Sequence, residues 1–269
     1  MTAASTGPAT NPDDRSTEQS SLTKALGFYS AYGWKARIGL ITPSTNTTLE
    51  PELARMAPDG VAVHASRVYQ AGGQQPPSYR RMADDVATAA TLLATAEVDV
   101  VAFGCTSCTY FVPPEEIRDT MTETCRCPAV LTADAVVAAL RELEITRVSL
   151  IGPRTRYVTD REVGFLEASG FEVVASACLG LGATEEERRA IGRVPPQAVH
   201  RLARAANRAE AEAIFVSCTQ LPTVAMIAEL EALLGKPVVT SNQATLWHSL
   251  RTIGVVDRVQ GFGELLAEH

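Results

Sequence analysis

Two cysteines, Cys105 and Cys218, stand at matching points in two similar halves of the chain. Cys105 lies near the end of the segment VDVVAFGCT, and Cys218 lies near the end of AEAIFVSCT, so each follows an apolar run and precedes a threonine. A thiol at the start of a helix has a lowered pKa and a larger thiolate fraction. If the halves face each other, the two thiols approach one small molecule from opposite sides. That arrangement suits proton transfer across a planar centre, or attack on a double bond with protonation of the adjacent carbon.

The similarity of the halves extends beyond the cysteines. RIGLITP at 37–43 matches RVSLIGP at 147–153, and VAVHASRV at 61–68 matches FEVVASAC at 171–178. PAVLTADA at 128–135 likewise matches PVVTSNQA at 237–244. The offset is far longer than the roughly 20 to 50 residues typical of solenoid repeats. The pattern therefore predicts a duplicated α/β unit.

Short apolar runs rich in Val and Ile alternate with Ala-rich helical patterns, which predicts an α/β fold with parallel sheets. Strands are predicted at 38–41, 61–65, 98–103, 129–131, 148–151, 172–176, 213–216 and 238–240. Helices are predicted at about 79–95, 133–143, 160–168, 196–209, 223–234 and 244–253. We expect two pseudo-symmetric Rossmann-like domains, each with a mostly parallel four-stranded sheet flanked by helices, and an active site between them. The first domain would comprise 34–143 plus about 241–269, and the second 144–240.

Ligands of such sheets bind beyond the carboxyl ends of the strands, so the strand-end loops are the candidate site. These loops carry hydroxyl and amide side chains that can bind carboxylates together with backbone N–H groups. Such residues also cap helices, but both cysteines lie in the same ring of loops, which favours a binding site. The candidate substrate-binding residues from these loops are Ser44, Thr45, Asn46, Thr106, Ser107 and Thr219.

Composition excludes several classes of function. The 269 residues are 46% hydrophobic and 20% charged, with a net charge of −7 and no basic run, which argues against a nucleic-acid partner. No apolar segment reaches the roughly 18 residues that span a bilayer, and the N-terminus lacks a signal-peptide pattern. We therefore predict a cytoplasmic protein without a membrane partner. Residues 1–30 are predicted to form a disordered tail, because Ser, Thr, Pro and Asp dominate their first part.

The six cysteines are predicted to be thiols, because a chain of this size has core enough to fold without disulfides. CTSC at 105–108 and CRC at 125–127 lack a second pair at zinc spacing, and the chain has only four histidines. No metal site is predicted.

The motifs resemble those of the aspartate/glutamate racemase superfamily, in the branch of maleate cis-trans isomerase and arylmalonate decarboxylase. The segments that carry the resemblance are IGLITPSTNTTLEP at 38–51, VDVVAFGCTS at 98–107, SCTQLPT at 217–223 and SNQATLWHSLRTIG at 241–254. It extends over about residues 34–265. The resemblance implies two pseudo-symmetric domains with the active site between them, no cofactor or metal, and a homodimer or higher homo-oligomer.

Individual roles follow from the resemblance. Cys105 resembles the first-half nucleophile of the isomerase, and Cys218 resembles the acid/base cysteine of its second half. Asn46 matches a carboxylate-binding Asn, and Tyr157 matches a Tyr of the second-half loop. The segment 180–187 departs from the family pattern because it contains no Asn.

A second departure lies in the loop at 153–158, where Arg154 and Arg156 bring two cations. The first half has Ser44 and Asn46 in the equivalent loop. The second carboxylate pocket therefore differs from the family pattern, and the sequence leaves the exact substrate open.

The interpretation that these features favour is cis-trans isomerisation of a small unsaturated dicarboxylate, of the maleate-to-fumarate type. Arylmalonate decarboxylase lacks the first cysteine, so the presence of Cys105 argues for isomerase or racemase chemistry. Racemisation of an amino acid or hydantoin needs the same two thiols and stays open. Decarboxylation of a substituted malonate by Cys218 alone also stays open. The non-enzyme alternative is a protein that only binds small carboxylates.

Overall fold

The structure, a computed structural model, describes residues 31–269. The predicted tail at 1–30 lies outside the described residues. Two four-stranded sheets make up the framework, and every strand pair within them is parallel. In each sheet the second strand of that half lies at one edge, followed by its first, third and fourth strands. The same order in both halves confirms the predicted pair of pseudo-symmetric α/β units. The domain boundaries remain a prediction.

The eight predicted strands are all present. The first sheet contains β1 (Ala36–Pro43), β2 (Val61–Val68), β3 (Val100–Phe103) and β4 (Ala129–Leu131). The second contains β5 (Arg147–Arg154), β6 (Glu172–Leu181), β7 (Ala213–Val216) and β8 (Val238–Thr240). The central strands β3 and β7 are buried at every position, as expected for parallel sheets covered by helices on both faces.

Eleven α-helices connect and cover the strands within residues 31–269. In the first half they are α1 (Leu49–Met56), α2 (Pro76–Asp84), α3 (Val86–Ala94), α4 (Pro114–Cys125) and α5 (Thr132–Glu142). In the second they are α6 (Arg156–Ala168), α7 (Glu185–Ala190), α8 (Pro196–Ala206), α9 (Ile227–Leu234), α10 (Ser241–Thr252) and α11 (Glu264–Glu268). Short 3-10 turns cover Cys108–Tyr110 and Ile191–Arg193.

Three local predictions were wrong. The helix predicted at 79–95 is two helices, α2 and α3, which meet at Asp85, whose carboxylate accepts a hydrogen bond from the Tyr69 amide. Helices α1, α4, α7 and α11 were not predicted. Arg154, which was assigned to a loop, is the last residue of β5.

The largest buried cluster joins the two sheets. Ile38 and Leu40 of β1 pack in the same cluster as Leu150 of β5 and Phe215 of β7, together with apolar residues of α5 and α10. Helices α5 and α10 pack directly against each other. Separate clusters cover the other face of each sheet, and Cys105 belongs to one while Cys218 belongs to the other. Within 31–269 no helix is long and apolar enough to cross a membrane.

Candidate active site

The loops that carry the two cysteines meet at the carboxyl ends of the two sheets. Cys105 follows β3 and Cys218 follows β7, and each is only 1% exposed. The two thiols are close enough that the charge of one affects the ionisation of the other. The structure therefore brings together the two residues predicted to be catalytic.

Hydrogen bonds connect the two loops directly. The Thr219 hydroxyl donates to the Gly104 carbonyl oxygen at 3.0 Å, and it accepts from the Asn46 amide nitrogen Nδ2 at 3.1 Å. Thr219 follows Cys218, Gly104 precedes Cys105, and Asn46 comes from the loop after β1. Three predicted strand-end loops therefore converge on one hydroxyl group.

A second connection runs through Ser241, the first residue of α10. Its hydroxyl oxygen accepts from the Cys218 amide at 3.0 Å and lies 3.1 Å from the Thr106 hydroxyl. Thr106 itself follows Cys105. The backbone of Cys218 has φ 97°, a left-handed conformation that is strained for a residue with a Cβ atom. The bond to Ser241 holds this strained residue in place.

Asn46 has a structural task as well as a free donor. Its side-chain oxygen Oδ1 accepts from the Thr48 and Leu49 backbone amides at 2.9 and 3.0 Å, which satisfies two N–H groups at the start of α1. Within the described residues one of the two amide hydrogens is used, in the bond to Thr219. The second hydrogen is available to a ligand.

Glu52 of α1 holds the loop after Cys218 from the other half of the chain. Its carboxylate accepts from the Thr223 and Val224 amides at 2.6 and 3.0 Å, and from the Asn242 side chain at 2.6 Å. The Thr223 hydroxyl donates to the same carboxylate at 3.1 Å. The position of the second cysteine loop therefore depends on a residue of the first half.

The electrostatic environment of Cys105 is mixed. Burial raises the pKa of the Cys105 thiol, whereas the nearby Arg154 guanidinium and the backbone N–H of Cys108 oppose that rise. Burial also raises the pKa of Cys108 well above its usual value, and the charge of Cys105 adds to the effect. The Cys108 thiol donates to the Tyr79 carbonyl oxygen at 3.6 Å, so it faces helix α2.

Arg154 is a charged group at the centre of this region. Its side chain is 7% exposed, and its charge acts on both cysteines, on Tyr79 and on Glu162. Burial alone would lower the pKa of Arg154, but the negative charges that Cys218, Tyr79, Cys105 and Glu162 can carry raise it overall. The guanidinium therefore stays protonated.

Glu162 of α6 forms a buried network beside Cys218. Its Oε1 atom accepts from the Ser217 hydroxyl at 2.6 Å and from the Tyr110 hydroxyl at 2.9 Å. Burial raises the pKa of Glu162, against the lowering effects of Ser217, Arg154 and Tyr110. Because Ser217 precedes Cys218, this network fixes the second cysteine loop from a third side.

The other predicted residues occupy different positions. Ser107 is buried beside Tyr79. Ser44 accepts from the Gln70 amide at 3.0 Å, and Thr45 donates to the Gln70 side chain at 2.9 Å, so both hydroxyls are engaged with the loop after β2. Tyr157 is the second residue of α6 and is 47% exposed, so the structure does not bury it with the cysteines.

Tyr157 nevertheless adjoins a row of aromatic rings that leads inward. Its ring lies 5.9 Å from the Phe111 ring, which stacks on Tyr79 at 4.6 Å. Tyr79 in turn acts electrostatically on Cys105. The sequence did not single out Tyr79, Tyr110 or Glu162, because they lie inside helices and a turn, away from the strand-end motifs.

This arrangement can perform nucleophilic and acid/base chemistry with thiols. Two buried cysteines face one region, with hydroxyl, amide and guanidinium donors around them for an anionic substrate. Among the described residues no group of three or more His, Cys, Asp or Glu side chains is placed to hold a metal ion.

Comparison with known proteins matches this geometry to one family. The family model described as arylmalonate decarboxylase matches residues 38–266. A maleate isomerase of Alcaligenes faecalis is 27% identical over 250 residues, which are 86% of this chain and 96% of that protein. An arylmalonate decarboxylase of Bordetella bronchiseptica is 28% identical over 237 residues, with 86% and 96% covered.

A solved structure of Nocardia farcinica maleate cis-trans isomerase has the same fold. That structure is of a cysteine-to-serine mutant with a covalently bound succinylcysteine intermediate. It superposes with a TM-score of 0.80 at 25% identity, and the match covers 87% of this chain and 99% of that chain. The matched region contains both cysteine loops, and on these grounds the chain belongs to the arylmalonate decarboxylase family, which the sequence motifs had indicated.

Proposed function

We propose that this chain is an isomerase that converts a small cis-unsaturated dicarboxylate of the maleate type into its trans isomer. The observation that carries the proposal is the pairing of Cys105 and Cys218 across one buried region. The relatives support it, since the Alcaligenes faecalis protein is a maleate isomerase and the Nocardia farcinica structure holds a succinylcysteine. Two thiols suffice for the chemistry, so the proposed reaction needs no cofactor.

The first step is addition to the double bond. The Cys105 thiolate forms a C–S bond to one alkene carbon, and the electron pair of the double bond moves to the adjacent carbon. The Cys218 thiol gives its proton to that carbon, or stabilises the enediolate that forms there. Covalent catalysis by a soft thiolate divides one large barrier into two smaller ones.

The second step is rotation followed by elimination. The former double bond is now a single bond, so the substituents turn from cis to trans. Cys218 takes a proton back from the adjacent carbon, the C–S bond breaks, and the Cys105 thiolate is restored. No atom is gained or lost between substrate and product.

The polar residues hold the carboxylates during these steps. The free amide hydrogen of Asn46 is a donor for one carboxylate, and Thr106, Ser107 and Thr219 flank the cysteines. Donors that are already oriented stabilise an oxyanion without reorganisation. Ser44, Thr45 and Tyr157 lie farther out, and their predicted contact with the substrate stays a prediction.

The test is proton NMR of the purified protein with maleate in deuterated buffer. We expect a fumarate signal that grows with the wild type and is absent with Cys105→Ser and Cys218→Ser. Circular dichroism and thermal melting of both variants would show that each is folded. Aspartate, glutamate and a hydantoin are run in parallel, and solvent deuterium at their α-carbon without any fumarate would favour racemisation instead.

Intact-mass spectrometry separates the roles of the two cysteines. Cys218→Ser keeps the nucleophile but loses the proton donor, so incubation with maleate should yield an adduct of one maleate on Cys105. Cys105→Ser should yield none. An adduct on Cys218 would reverse the proposed assignment, and an unchanged substrate with every protein would favour a carboxylate-binding protein.

Decarboxylation is the second candidate, because the matching family model and one relative are arylmalonate decarboxylases. It would use Cys218 to protonate the carbanion left by loss of carbon dioxide from a substituted malonate. Carbon dioxide release from phenylmalonate that survives Cys105→Ser but not Cys218→Ser would establish it. A small carboxylate is the partner under either proposal.

We also propose a homodimer or higher homo-oligomer in the cytoplasm. The resemblance of the sequence motifs supports the oligomer, and the free cysteines suit a reducing compartment such as the cytoplasm. Light scattering of the purified protein gives the oligomeric state directly.

A further inference from the structure

The Arg154 guanidinium is buried without a partner. It stands at the end of β5, and its side chain makes no hydrogen bond or ion pair to any residue in 31–269, while its Nε atom is inaccessible to solvent. A buried charge is normally compensated by an opposite charge or by hydrogen bonds. Its unused donors lie close enough to Cys105 and Cys218 for the charges to interact.

A second buried guanidinium lies near the first. Arg188 of α7 is 1% exposed, and its charge acts on Arg154 and on Tyr79. Its one hydrogen bond within the described range runs from Nη2 to the Gln70 carbonyl oxygen at 3.3 Å, and its Nε and Nη1 have no partner there. Two cations that face a shared region repel each other unless an anion lies between them.

Hydroxyl groups complete the cluster. Tyr79 and Ser107 are buried beside each other near Arg154 and Cys105, and neither hydroxyl has a hydrogen-bond partner of normal geometry within 31–269. Burial raises the pKa of Tyr79 to about 12, so its hydroxyl is a donor at neutral pH. Arg154, Arg188, Tyr79 and Ser107 therefore each carry a buried polar atom without a partner of normal geometry within 31–269, and Arg154 and Tyr79 also interact electrostatically with Cys105.

Glu162 does not fill this position. It is close enough to interact electrostatically with Arg154, but its oxygens form no ion pair within 4.0 Å with any residue of 31–269, and its Oε1 already accepts from Ser217 and Tyr110. Glu185, the carboxylate that acts on Arg188, bonds instead to Arg189 and to the Gly72 amide. Within 31–269 no carboxylate therefore pairs with Arg154 or Arg188, which leaves their free donors for an anionic ligand.

We propose that Arg154, Arg188 and the Tyr79 hydroxyl form the subsite for the second carboxylate of the substrate, so that the enzyme requires a dianionic substrate. The proposal rests on the proposed function and names the residues of this chain that would distinguish its dicarboxylate substrate from a monocarboxylate or a half-amide. Arginine suits the task because its planar fork binds a carboxylate through two parallel hydrogen bonds. The site would thereby replace the Asn that the sequence lacks at 180–187.

The first experiment compares maleate with maleamate, in which one carboxylate is a neutral amide of similar size. In Arg154→Met we expect kcat/KM for maleate to fall about 10- to 100-fold, as for loss of a buried bond to a charged group. The value for maleamate should change little, so the discrimination between the two substrates collapses. Arg188→Met should act in the same direction, and Arg154→Lys should recover part of the loss.

Neighbouring arginines supply matched controls. Arg156 is exposed and paired with Asp160, and Arg189 is exposed and paired with Glu185. Arg156→Gln and Arg189→Gln remove the same charge from the same segments and should leave the ratio of the two kcat/KM values unchanged. If they lower the ratio as much as the buried variants, a general charge effect replaces the proposed subsite.

Thermal melting distinguishes residues that bind the substrate from residues that only support the fold. Because the Tyr79 hydroxyl has no hydrogen-bond partner of normal geometry within 31–269, Tyr79→Phe should leave the melting temperature nearly unchanged while it weakens dicarboxylate binding. Arg154→Met removes the positive charge that acts on Glu162. The double variant Arg154→Met/Glu162→Gln removes both charges and tests whether the loss of kcat/KM is still larger for maleate than for maleamate. Equal losses for maleate and maleamate in the folded double variant would show a structural role and overturn the proposal.

Calorimetry with unreactive ligands keeps this test independent of turnover. Succinate has two carboxylates and butyrate has one, and neither has a double bond. We expect the wild type to bind succinate in preference to butyrate, and the preference to disappear in Arg154→Met and Tyr79→Phe. If the wild type shows the preference but does not isomerise maleate, the proposed function alone fails. If it isomerises maleate with no dependence on these residues, the subsite alone fails.

Discussion

The Thr219 hydroxyl donates to the Gly104 carbonyl oxygen at 3.0 Å, which bonds the residue after one cysteine to the residue before the other. The pair lies in different halves of the chain, yet both residues are at the carboxyl end of a central strand. The spacing between the two thiols is therefore fixed by a direct bond between their own loops. Without this bond, packing of the two halves alone would allow more variation in the distance between the thiols.

Thr219→Val should loosen this arrangement. The substitution keeps the shape but removes the hydroxyl, so the Gly104 carbonyl and the Asn46 amide lose a partner in a buried region. We expect a loss of about 1–3 kcal/mol in the free energy of unfolding, together with a lower kcat/KM. Denaturant unfolding and steady-state kinetics measure the two effects. Thr219→Ser retains the hydroxyl and should restore most of both; failure to do so would assign the effect to the methyl group.

The fold could be predicted from the sequence because its signal is local. Each strand is a buried apolar run, and the duplicated pattern places equivalent strands in the same order. Helix α4 was not predicted because only Ile117 and Met121 of its twelve residues are fully buried, which leaves a weak apolar pattern in the sequence. Pro114 followed by Glu115 and Glu116 was the available signal, since these residues favour a helix N-terminus.

The site was predictable only in part. The cysteines and strand-end hydroxyls follow from motif and topology. Tyr79 and Arg188 approach them through the packing of helices onto loops, which no spacing in the sequence encodes. Arg154 was noticed as a departure from the family pattern, but its burial without a partner appears only in three dimensions.

Glu52 should matter more for stability than its neighbour Glu50. Glu52 receives four hydrogen bonds from the second half of the chain, whereas Glu50 makes an exposed ion pair with Arg67. We expect Glu52→Ala to lower the free energy of unfolding by about 2–4 kcal/mol, because buried donors lose a charged acceptor. Glu50→Ala, on the same helix, should change it by less than about 1 kcal/mol. Urea unfolding of both variants measures the difference, and equal effects would contradict the proposed anchoring of the second cysteine loop.

The rate should rise with pH beyond neutrality. Burial raises the pKa of the Cys105 thiol above its ordinary value, and only the thiolate adds to the double bond. Below that pKa the thiolate fraction of the free enzyme grows about tenfold per pH unit, and kcat/KM reports the free enzyme. We therefore expect kcat/KM to keep increasing as the pH rises above neutrality. In Arg154→Met the rise of kcat/KM should occur at higher pH, because the positive charge of Arg154 favours the Cys105 thiolate.

Alkylation measures the ionisation of the Cys105 thiol independently of turnover. The rate at which iodoacetamide modifies Cys105, followed by peptide mapping, should show the same pH dependence as kcat/KM. A plateau of both quantities near neutral pH would mean that the thiolate forms more easily than its surroundings indicate.

Backbone strain at Cys218 predicts that two inactive variants of this residue differ in stability. With φ at 97°, Cys218 occupies a region that glycine enters without steric penalty. Cys218→Ala keeps the strain and Cys218→Gly releases it, so the glycine variant should be more stable than the alanine variant by about 1 kcal/mol. Both should lack isomerase activity, because neither side chain can transfer a proton. Thermal melting of the two variants tests this directly: an alanine variant at least as stable as the glycine variant would show that the loop relaxes once the thiol is gone, and that the strain belongs to the placement of Cys218 opposite Cys105.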